Sequence, residues 1–346
     1  MATGIGVVTV PLQSNELPLR RLGATSERAQ RVKVLHISGE GRSGSTLLGS
    51  VLGQRRGWFS AGEVRYLWQR GLIERRLCGC GLPVPDCPVW SGVLSTAFGS
   101  ADAVDTRETV RALHRLSRPA VIARAVQSGA SAAKSGLGAL SDTLTDLYAG
   151  LRQETDCDVI VDTSKPPTYG WLLGTLPSVD LYTVHLVRDP RAVAFSWQRH
   201  KSARDRPGGG ELARKAPAAS ALHWTMWNLV AERLGRASRD RYLRLRYEDF
   251  VADPALAVRR IVALVGETES CDPASSDRTA EFDVNHAVAG NPSRFDRGQV
   301  SITLDAEWTE HLAARDRRIV EMLCAPVSAR YGYAMRARRR LSRARA

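Results

Sequence analysis

Continuous apolar runs mark the buried strands of this chain. Such runs occupy 34–37, 159–162 and 181–187, and a fourth strand is predicted at 242–250. Runs that are apolar at successive positions are typical of parallel strands buried on both faces. After the first run, Leu47, Leu48, Val51 and Leu52 recur at helical spacing. Strands alternating with helices predict a three-layer α/β domain with a mainly parallel central sheet.

Residues 103–153 have a different pattern, rich in alanine and without the period of two that strands show. Pro119 and the small residues of 128–138 interrupt its helical spacing. We expect a helical insertion at about 100–155 that forms a lid or acceptor wall over the sheet. Insertions of this kind usually carry the substrate specificity of an α/β scaffold.

The chain has 346 residues, of which 43% are hydrophobic, enough for one large α/β domain with an insertion or for two domains. We expect a flexible arm at 1–31, the folded domain at 32–330 and a basic tail at 331–346. Neither a signal peptide nor an apolar stretch approaching the roughly 18 residues of a membrane span is present. The cytoplasm is therefore the expected compartment.

The charge of the chain favours anionic partners. Its 49 Lys and Arg residues exceed its 36 Asp and Glu residues, which gives a net charge of +13. Nucleic acid, an anionic membrane and a polyanionic cofactor all fit this excess. General enrichment in Arg and Ala is the alternative explanation. The densest basic run, 336–346, is expected to be a solvated terminus.

A glycine-rich turn links the first strand to the helix that begins at Ser45. Such a turn points backbone N–H groups inward, and the helix dipole adds partial positive charge, so we expect an anion site. The spacing from Gly39 to Gly44 is that of the Walker A loop, but Ser45 takes the place of its lysine and the cation is Arg42. This difference argues against an ATPase or GTPase. An ordinary βα turn remains the alternative.

Charged residues follow the other predicted strands. Lys165 comes at the end of the second strand, and Arg188 ends the third, with Ser196 eight residues later in a helix. Ligands gather at the carboxyl ends of parallel strands, so Arg188 and Ser196 are candidates for a second phosphate site. Lys165 is either a ligand-binding residue at this edge of the sheet or an exposed turn residue. Glu63, flanked by aromatic residues, lies either at a pocket edge or at the N-cap of the next helix.

Cys78, Cys80 and Cys87 lie together in a segment rich in turn residues. A tetrahedral zinc site requires a fourth ligand, and no histidine is near in sequence. Three interpretations stay open: reduced structural cysteines, one disulfide, or a metal site. We expect no metal.

The loop resembles the 5′-phosphosulfate loop of sulfotransferases that use PAPS (3′-phosphoadenosine 5′-phosphosulfate), in which Lys or Arg precedes Ser-Gly-Thr/Ser-Thr. The Arg188 and Ser196 pair is similar to the 3′-phosphate motif of these enzymes, which has the same separation. The resemblance covers about 33–325 and implies a P-loop-like fold. It assigns the 5′-phosphosulfate to Gly41, Arg42, Ser43, Gly44, Ser45, Thr46 and Leu47.

Further roles follow from this resemblance. A Gly-Glu pair at similar spacing supplies the catalytic base of tyrosylprotein sulfotransferases, which implies that role for Glu63. Lys165 would reach the sulfuryl group, and Arg42 would stabilise its charge. Tyr247 would lie near the adenine, and Arg297 with Gly298 would reach the 3′-phosphate. Similar cysteine segments occur in many bacterial sulfotransferase-like sequences, on the acceptor side.

The resemblance thus implies transfer of the sulfuryl group of PAPS to a hydroxyl or amine, which leaves PAP. The implied partner is a small-molecule, carbohydrate or lipid acceptor, with no specific nucleic acid, and the chain is a possible homodimer. One alternative is a catalytically silent protein that binds PAP or another nucleotide. The other is a P-loop kinase with a degenerate loop, which would need a lysine on the β- and γ-phosphates.

Overall fold

The central sheet has five parallel strands in the spatial order β2-β3-β1-β4-β5. The computed structural model describes residues 31–128, 137–267 and 278–333. The strands are β1 (Val32–Ser38), β2 (Trp58–Gly62), β3 (Val159–Lys165), β4 (Val179–Val187) and β5 (Tyr242–Arg246). Strand β1, which precedes the glycine-rich loop, is central and pairs with β3 and β4. The predicted α/β fold with a mainly parallel sheet is confirmed.

Helices surround this sheet. They are α1 (Ser45–Gly53), α2 (Pro88–Phe98), α3 (Thr106–Arg115), α4 (Pro119–Ser128), α5 (Gly138–Thr155), α6 (Pro167–Leu173), α7 (Pro190–Gln198), α8 (Pro217–Gly235), α9 (Tyr247–Ala252), α10 (Pro254–Val265), α11 (Trp308–His311) and α12 (Ala314–Arg330). Short 3₁₀ helices lie at Val64–Tyr66, Val84–Asp86, Ala101–Ala103, Arg236–Arg241 and Pro292–Phe295, and a π-helix lies at Leu67–Ile73. An antiparallel hairpin joins β6 (Thr279–Phe282) to β7 (Gly298–Ser301).

The strands bury both faces, which is why their sequences are apolar at successive positions. Val34 and Ile160 point into a core with residues of α2, α5 and α6. Leu35 and Val161 point to the other side, into a core with residues of α1 and α10. Alternation of side chains along each strand thus gives three layers: helices, sheet and helices.

The helical insertion is present over its described residues, as α3, α4 and α5. Asp105 caps α3 by accepting a hydrogen bond from the N–H of Glu108 at 2.9 Å. In α5, Leu140, Leu144 and Leu147 lie on the buried side, at helical spacing. The hydroxyl of Tyr148 in α5 donates to the Asp162 carboxylate. This bond joins the insertion to β3 three residues before Lys165.

Two sequence predictions are corrected by the structure, and one strand was missed. The fourth strand ends at Arg246 rather than at 250, and Tyr247 begins a helix. The sequence pattern predicts one helix over 305–324, but the structure has two helices there, because Leu312 and Ala313 have extended backbone between them. Strand β2 was not predicted, since Trp-Phe-Ser-Ala-Gly is short and not consistently apolar.

Several predictions concern residues outside the described ranges. These are the arm at 1–30, most of the small-residue stretch within 128–138, and the tail from 334 onward. Within the described ranges, no helix is both long and apolar enough to cross a membrane.

Candidate active site

The candidate residues meet because parallel strands end at one edge of the sheet. Glu63 follows β2, Lys165 ends β3, Arg188 follows β4 and Tyr247 follows β5. The glycine-rich loop follows β1, between them. Together they line a cavity of about 400 Å³. The predicted residues that line it are Gly41, Arg42, Gly44, Ser45, Thr46, Leu47, Glu63, Lys165, Arg188, Ser196 and Tyr247.

The loop requires glycine at the position where α1 begins. Gly44 is the N-cap of α1 and has a φ of 90°, in the left-handed region. A Cβ atom there would lie 2.4 Å from the Tyr247 ring, so the loop packs closely against the residue that follows β5. The first turn of α1 contains no acidic residue. Its N–H groups and the positive end of its dipole therefore favour an anion in the cavity.

Arg42 projects from this loop with a φ of 68°, a conformation that costs energy for a residue other than glycine. Its guanidinium lies over the Trp197 ring, 4.6 Å from the centroid, and the Lys215 ammonium lies 4.2 Å from the same centroid. Burial lowers the pKa of Arg42, Glu63 raises it and Arg70 lowers it. Two cations are thus held beside one aromatic ring at the mouth of the loop.

Glu63 and Lys165 form a buried ion pair in which the ammonium donates to Oε1. Arg70 contributes a second cation, with Nη1 3.7 Å from Oε2 of Glu63. Burial raises the pKa of Glu63, but Lys165, Arg70 and Arg294 lower it, and the net pKa is below its ordinary value. The carboxylate makes no capping bond to the 3₁₀ helix that follows it. Glu63 is therefore an ionised group of the cavity rather than a helix cap.

The Arg188 guanidinium is fixed at the base of the loop. It donates to the carbonyl oxygens of Arg42 and Asp305, each at 3.1 Å, and lies 3.3 Å from the Asp305 carboxylate. It also lies over the Tyr247 ring, 4.6 Å from the centroid. Ser196, two turns into α7, is buried and lines the same cavity. Arg188 thus connects the loop, the aromatic ring and an anionic side chain.

Positive charge dominates the cavity. Among the described residues that line it, six side chains are cationic and three are carboxylates: Arg42, Arg70, Lys165, Arg188, Lys201 and Lys215 against Glu40, Glu63 and Asp305. Burial lowers the pKa of Lys201, and the nearby Arg199 and Arg42 lower it further. Several cations crowded at one place fit a ligand that carries more than one negative charge.

The sequence model of the sulfotransferase family matches residues 35–270. The chain belongs to this family. Among solved structures, it is similar to the sulfotransferase domain from the curacin biosynthetic pathway, with 15% identity, 88% of this chain and 98% of that chain covered, and a TM-score of 0.48. It is also similar to the sulfotransferase domain from the Synechococcus PCC 7002 olefin synthase, with 23% identity, 88% and 96% covered, and a TM-score of 0.44. Comparison with curated proteins gave no match.

Three of the predicted site residues do not line the cavity of this sulfotransferase. Ser43 is buried, and its hydroxyl has no hydrogen-bond partner among the described residues. Arg297 donates to the carbonyl oxygens of Arg294 and Asp296, each at 2.9 Å, and Gly298 begins β7. The Arg297 guanidinium also donates to the carbonyl oxygen of Gly79, so it is held by backbone groups outside the cavity.

An earlier part of the same segment reaches the site instead. Gly290, Asn291 and Ser293 line the cavity, and the N–H of Asn291 donates to the Thr46 hydroxyl at 3.1 Å. Residues of the segment 290–298 thus line the cavity, but they are not the two residues, Arg297 and Gly298, that were expected to reach the 3′-phosphate. The sequence did not indicate which of its residues would point inward.

Sequence reasoning missed other residues of the site. Glu40 is 1% exposed and accepts hydrogen bonds from Lys215 at 3.2 Å and from His223 at 2.5 Å. Arg70 lies on the π-helix and Lys201 on a connection rich in Arg, Lys and Gly. For Arg70 and Lys201, the only sequence signal was the density of basic residues around the sulfotransferase motifs.

Proposed function

We propose that this sulfotransferase binds PAPS and transfers its sulfuryl group to a hydroxyl or amine of an acceptor, with PAP as the second product. The observation that carries the proposal is the arrangement of the Arg42 loop and Arg188 in one cavity. They follow β1 and β4, which are neighbouring strands about 4.8 Å apart. Two anion-binding groups in one cavity suit one ligand with two phosphate groups.

The residues of the cavity fit such a ligand. Arg42 and the first-turn N–H groups of α1 would hold the 5′-phosphosulfate, while Arg188 and Ser196 would hold the 3′-phosphate. The Nε atoms of Arg42 and Arg188 are buried and have no hydrogen-bond partner among the described residues. Tyr247, whose ring already contacts Arg188, would lie beside the adenine. At Arg188, the 3′-phosphate takes the place of the Asp305 carboxylate.

Glu63 is the group that takes the proton from the acceptor. Its lowered pKa keeps it ionised at neutral pH, as a base must be. The acceptor oxygen or nitrogen forms a bond to sulfur as the bond from sulfur to the phosphate oxygen breaks. The acceptor proton goes to Glu63, and PAP leaves with the electron pair of the broken bond.

In this proposal Lys165 acts on both Glu63 and the sulfuryl group. Its ammonium holds Glu63 ionised through the ion pair, and it lies beside the same cavity as the loop. An anionic sulfuryl oxygen attracts the ammonium, so Lys165 turns from Glu63 toward the transferring group. This exchange frees Oε1 to accept the proton while Lys165 and Arg42 stabilise the charge that develops. The same movement of Lys165 therefore frees the Glu63 base and brings positive charge to the sulfuryl group.

The acceptor enters from the side of the cavity that residues after β2 and β3 form. Tyr66 and Arg70, which stack at 3.9 Å, and Pro166 line the cavity on this side, near Glu63. We assign the acceptor pocket to the described residues of 56–155, of which Tyr66 and Arg70 line the cavity beside Glu63. Its polar and aromatic lining suits a small-molecule, carbohydrate or lipid acceptor with a hydroxyl or amine group.

The test is transfer of label from PAPS to a panel of phenols, alcohols, sugars and amines. The wild type is compared with Glu63→Gln and with Glu310→Gln, whose carboxylate is exposed and outside the cavity. We expect Glu63→Gln to keep PAP affinity and to lose transfer by about 10²–10⁴-fold, the usual contribution of a general base. Glu310→Gln should retain both. PAP binding without any transfer contradicts the enzymatic function, and equal loss of binding and transfer contradicts the role of Glu63.

A further inference from the structure

Three cysteines and one histidine meet at a place outside the candidate active site. Cys78 and Cys80 lie in the turn before the 3₁₀ helix Val84–Asp86, and Cys87 is the N-cap residue of α2. His286 comes from the connection between β6 and β7, 199 residues after Cys87. The sequence offered no fourth ligand because this residue is distant along the chain. The fold supplies it.

The four groups are close enough to share one ion. Their ligand atoms all lie within 4.8 Å of one another. Nδ1 of His286 is 3.2 Å from Sγ of Cys87 and 4.0 Å from Sγ of Cys78. Around tetrahedral zinc, with bonds of about 2.3 Å to sulfur and about 2.0 Å to nitrogen, sulfur and nitrogen ligands are separated by roughly 3.5–3.8 Å. The observed distances bracket this range.

We propose that Cys78, Cys80, Cys87 and His286 bind one zinc ion. Thiolates and an imidazole in a compact set of four favour zinc over calcium or magnesium, which take oxygen ligands. With four protein ligands the coordination is closed, so the ion is structural and does not activate water or substrate. All three cysteines are free thiols in the structure, which leaves each sulfur available as a ligand.

The surroundings supply a compensating charge. Three thiolates, a neutral imidazole and Zn²⁺ carry a net charge of −1. The Arg294 guanidinium is 1% exposed and donates to the carbonyl of Leu77, the neighbour of Cys78, at 3.1 Å. It also lies 3.3 Å from the Asp205 carboxylate. A buried cation beside the cluster lowers the cost of an anionic metal centre.

The ion would join the cysteine segment to the chain that supports Glu63. Trp90 Nε1 donates to the carbonyl of His286 at 2.7 Å. Two residues after His286, Val288 donates to Ala61 at 2.9 Å and accepts from the N–H of Glu63 at 2.7 Å. The segment then reaches Asn291 and the loop. Zinc bound at His286 thus fixes the backbone on which the proposed base lies.

The experiment measures metal content and coordination without PAPS. Protein from zinc-sufficient culture is analysed by mass spectrometry of its metals, and cobalt is exchanged into the site for absorption spectroscopy. We expect about one zinc ion per chain and the intense visible bands of tetrahedral cobalt with thiolate ligands. Cys80→Ser and His286→Ala should lose most of the zinc. Cys157→Ser and His200→Ala, outside the cluster, are matched controls and should keep it.

Three results would overturn the zinc site. The first is folded wild type with zinc below about one tenth of the chain concentration and no cobalt bands. The second is a disulfide, detected as loss of two hydrogens by mass spectrometry under non-reducing conditions. The third is zinc that remains in both cluster variants. If the variants do not fold, X-ray absorption of the wild type decides, because it counts sulfur and nitrogen ligands directly. None of these readouts depends on sulfuryl transfer.

Discussion

Replacing Lys165 by Met should destabilise the fold through Glu63. The Lys165 and Glu63 side chains are 16% and 8% exposed, so the variant leaves a largely buried carboxylate without its closest cation. Removal of one partner from a buried pair costs about 3–5 kcal/mol. Arg70 remains 3.7 Å from Glu63 and partly compensates. We therefore expect a loss of about 2–3 kcal/mol in the free energy of unfolding at pH 7.

The loss should depend on pH, because the replacement changes the shift in the pKa of Glu63 from a lowering to a raising. In the wild type the folded pKa is lowered, so its stabilising contribution is present above the unfolded value of 4.5 and disappears as pH falls. In Lys165→Met, the effect of burial exceeds that of the remaining cations, so the pKa of Glu63 in the folded state is raised. The variant regains stability as pH falls through that raised value. The difference between the two proteins is therefore larger at pH 7 than at pH 5.

Urea unfolding of four proteins measures this effect: the wild type, Lys165→Met, Glu63→Gln and the double variant. The double variant should be more stable than the sum of the single losses predicts, with a coupling of about 2 kcal/mol. Lys33→Met breaks a more exposed pair with Glu267 and should cost at most about 1 kcal/mol. A loss in Lys165→Met as small as that of Lys33→Met, or one independent of pH, would show that the buried Lys165–Glu63 pair does not stabilise the fold.

Two other predictions concern binding and acid stability. Asp305→Asn should strengthen PAP binding by about 3–10-fold in calorimetry, because the carboxylate no longer competes for Arg188; unchanged or weaker binding would contradict the competition. Unfolding free energy should fall by about 2 kcal/mol from pH 7 to pH 5, because burial lowers the folded pKa of His36 to about 3 and of His185 to about 4, from 6.5. The two histidines add no pH-dependent cost above pH 6.5 and an increasing cost below it, because only the unfolded state gains their protons there, while Asp162, whose burial raises its pKa to about 6, offsets about 1 kcal/mol. Urea unfolding at both pH values checks this, and equal stability would contradict it.

The sequence was sufficient for the parts of the site that follow buried strands. Lys165 and Arg188 end or follow continuous apolar runs, and parallel strands necessarily bring their carboxyl ends to one edge. The loop with Arg42 is also local in sequence, as a glycine-rich turn between a strand and a helix. Glu63 was named without its strand, since β2 is too short and too mixed in polarity to show a period.

The remaining features depend on contacts between distant parts of the chain. The Glu40 carboxylate meets His223 across 183 residues. His286 reaches the cysteines in the same way. No local pattern encodes these pairs, because each depends on how the elements pack. Asp305, which lies beside Arg188, is another site residue that the sequence did not indicate, because its position depends on the path of the backbone after β7.

Calorimetric titration with PAP and with ATP, for the wild type and Arg188→Ala, tests the proposed PAPS site. We expect PAP to bind and ATP to bind negligibly. Arg188→Ala should weaken PAP binding by roughly 10–100-fold, the loss expected for hydrogen bonds to a charged group. Arg75→Ala, which removes an exposed guanidinium paired with Asp86, is the control and should bind PAP as the wild type does. Equal binding of ATP and PAP, or PAP binding indifferent to Arg188, would contradict a PAPS site in this cavity.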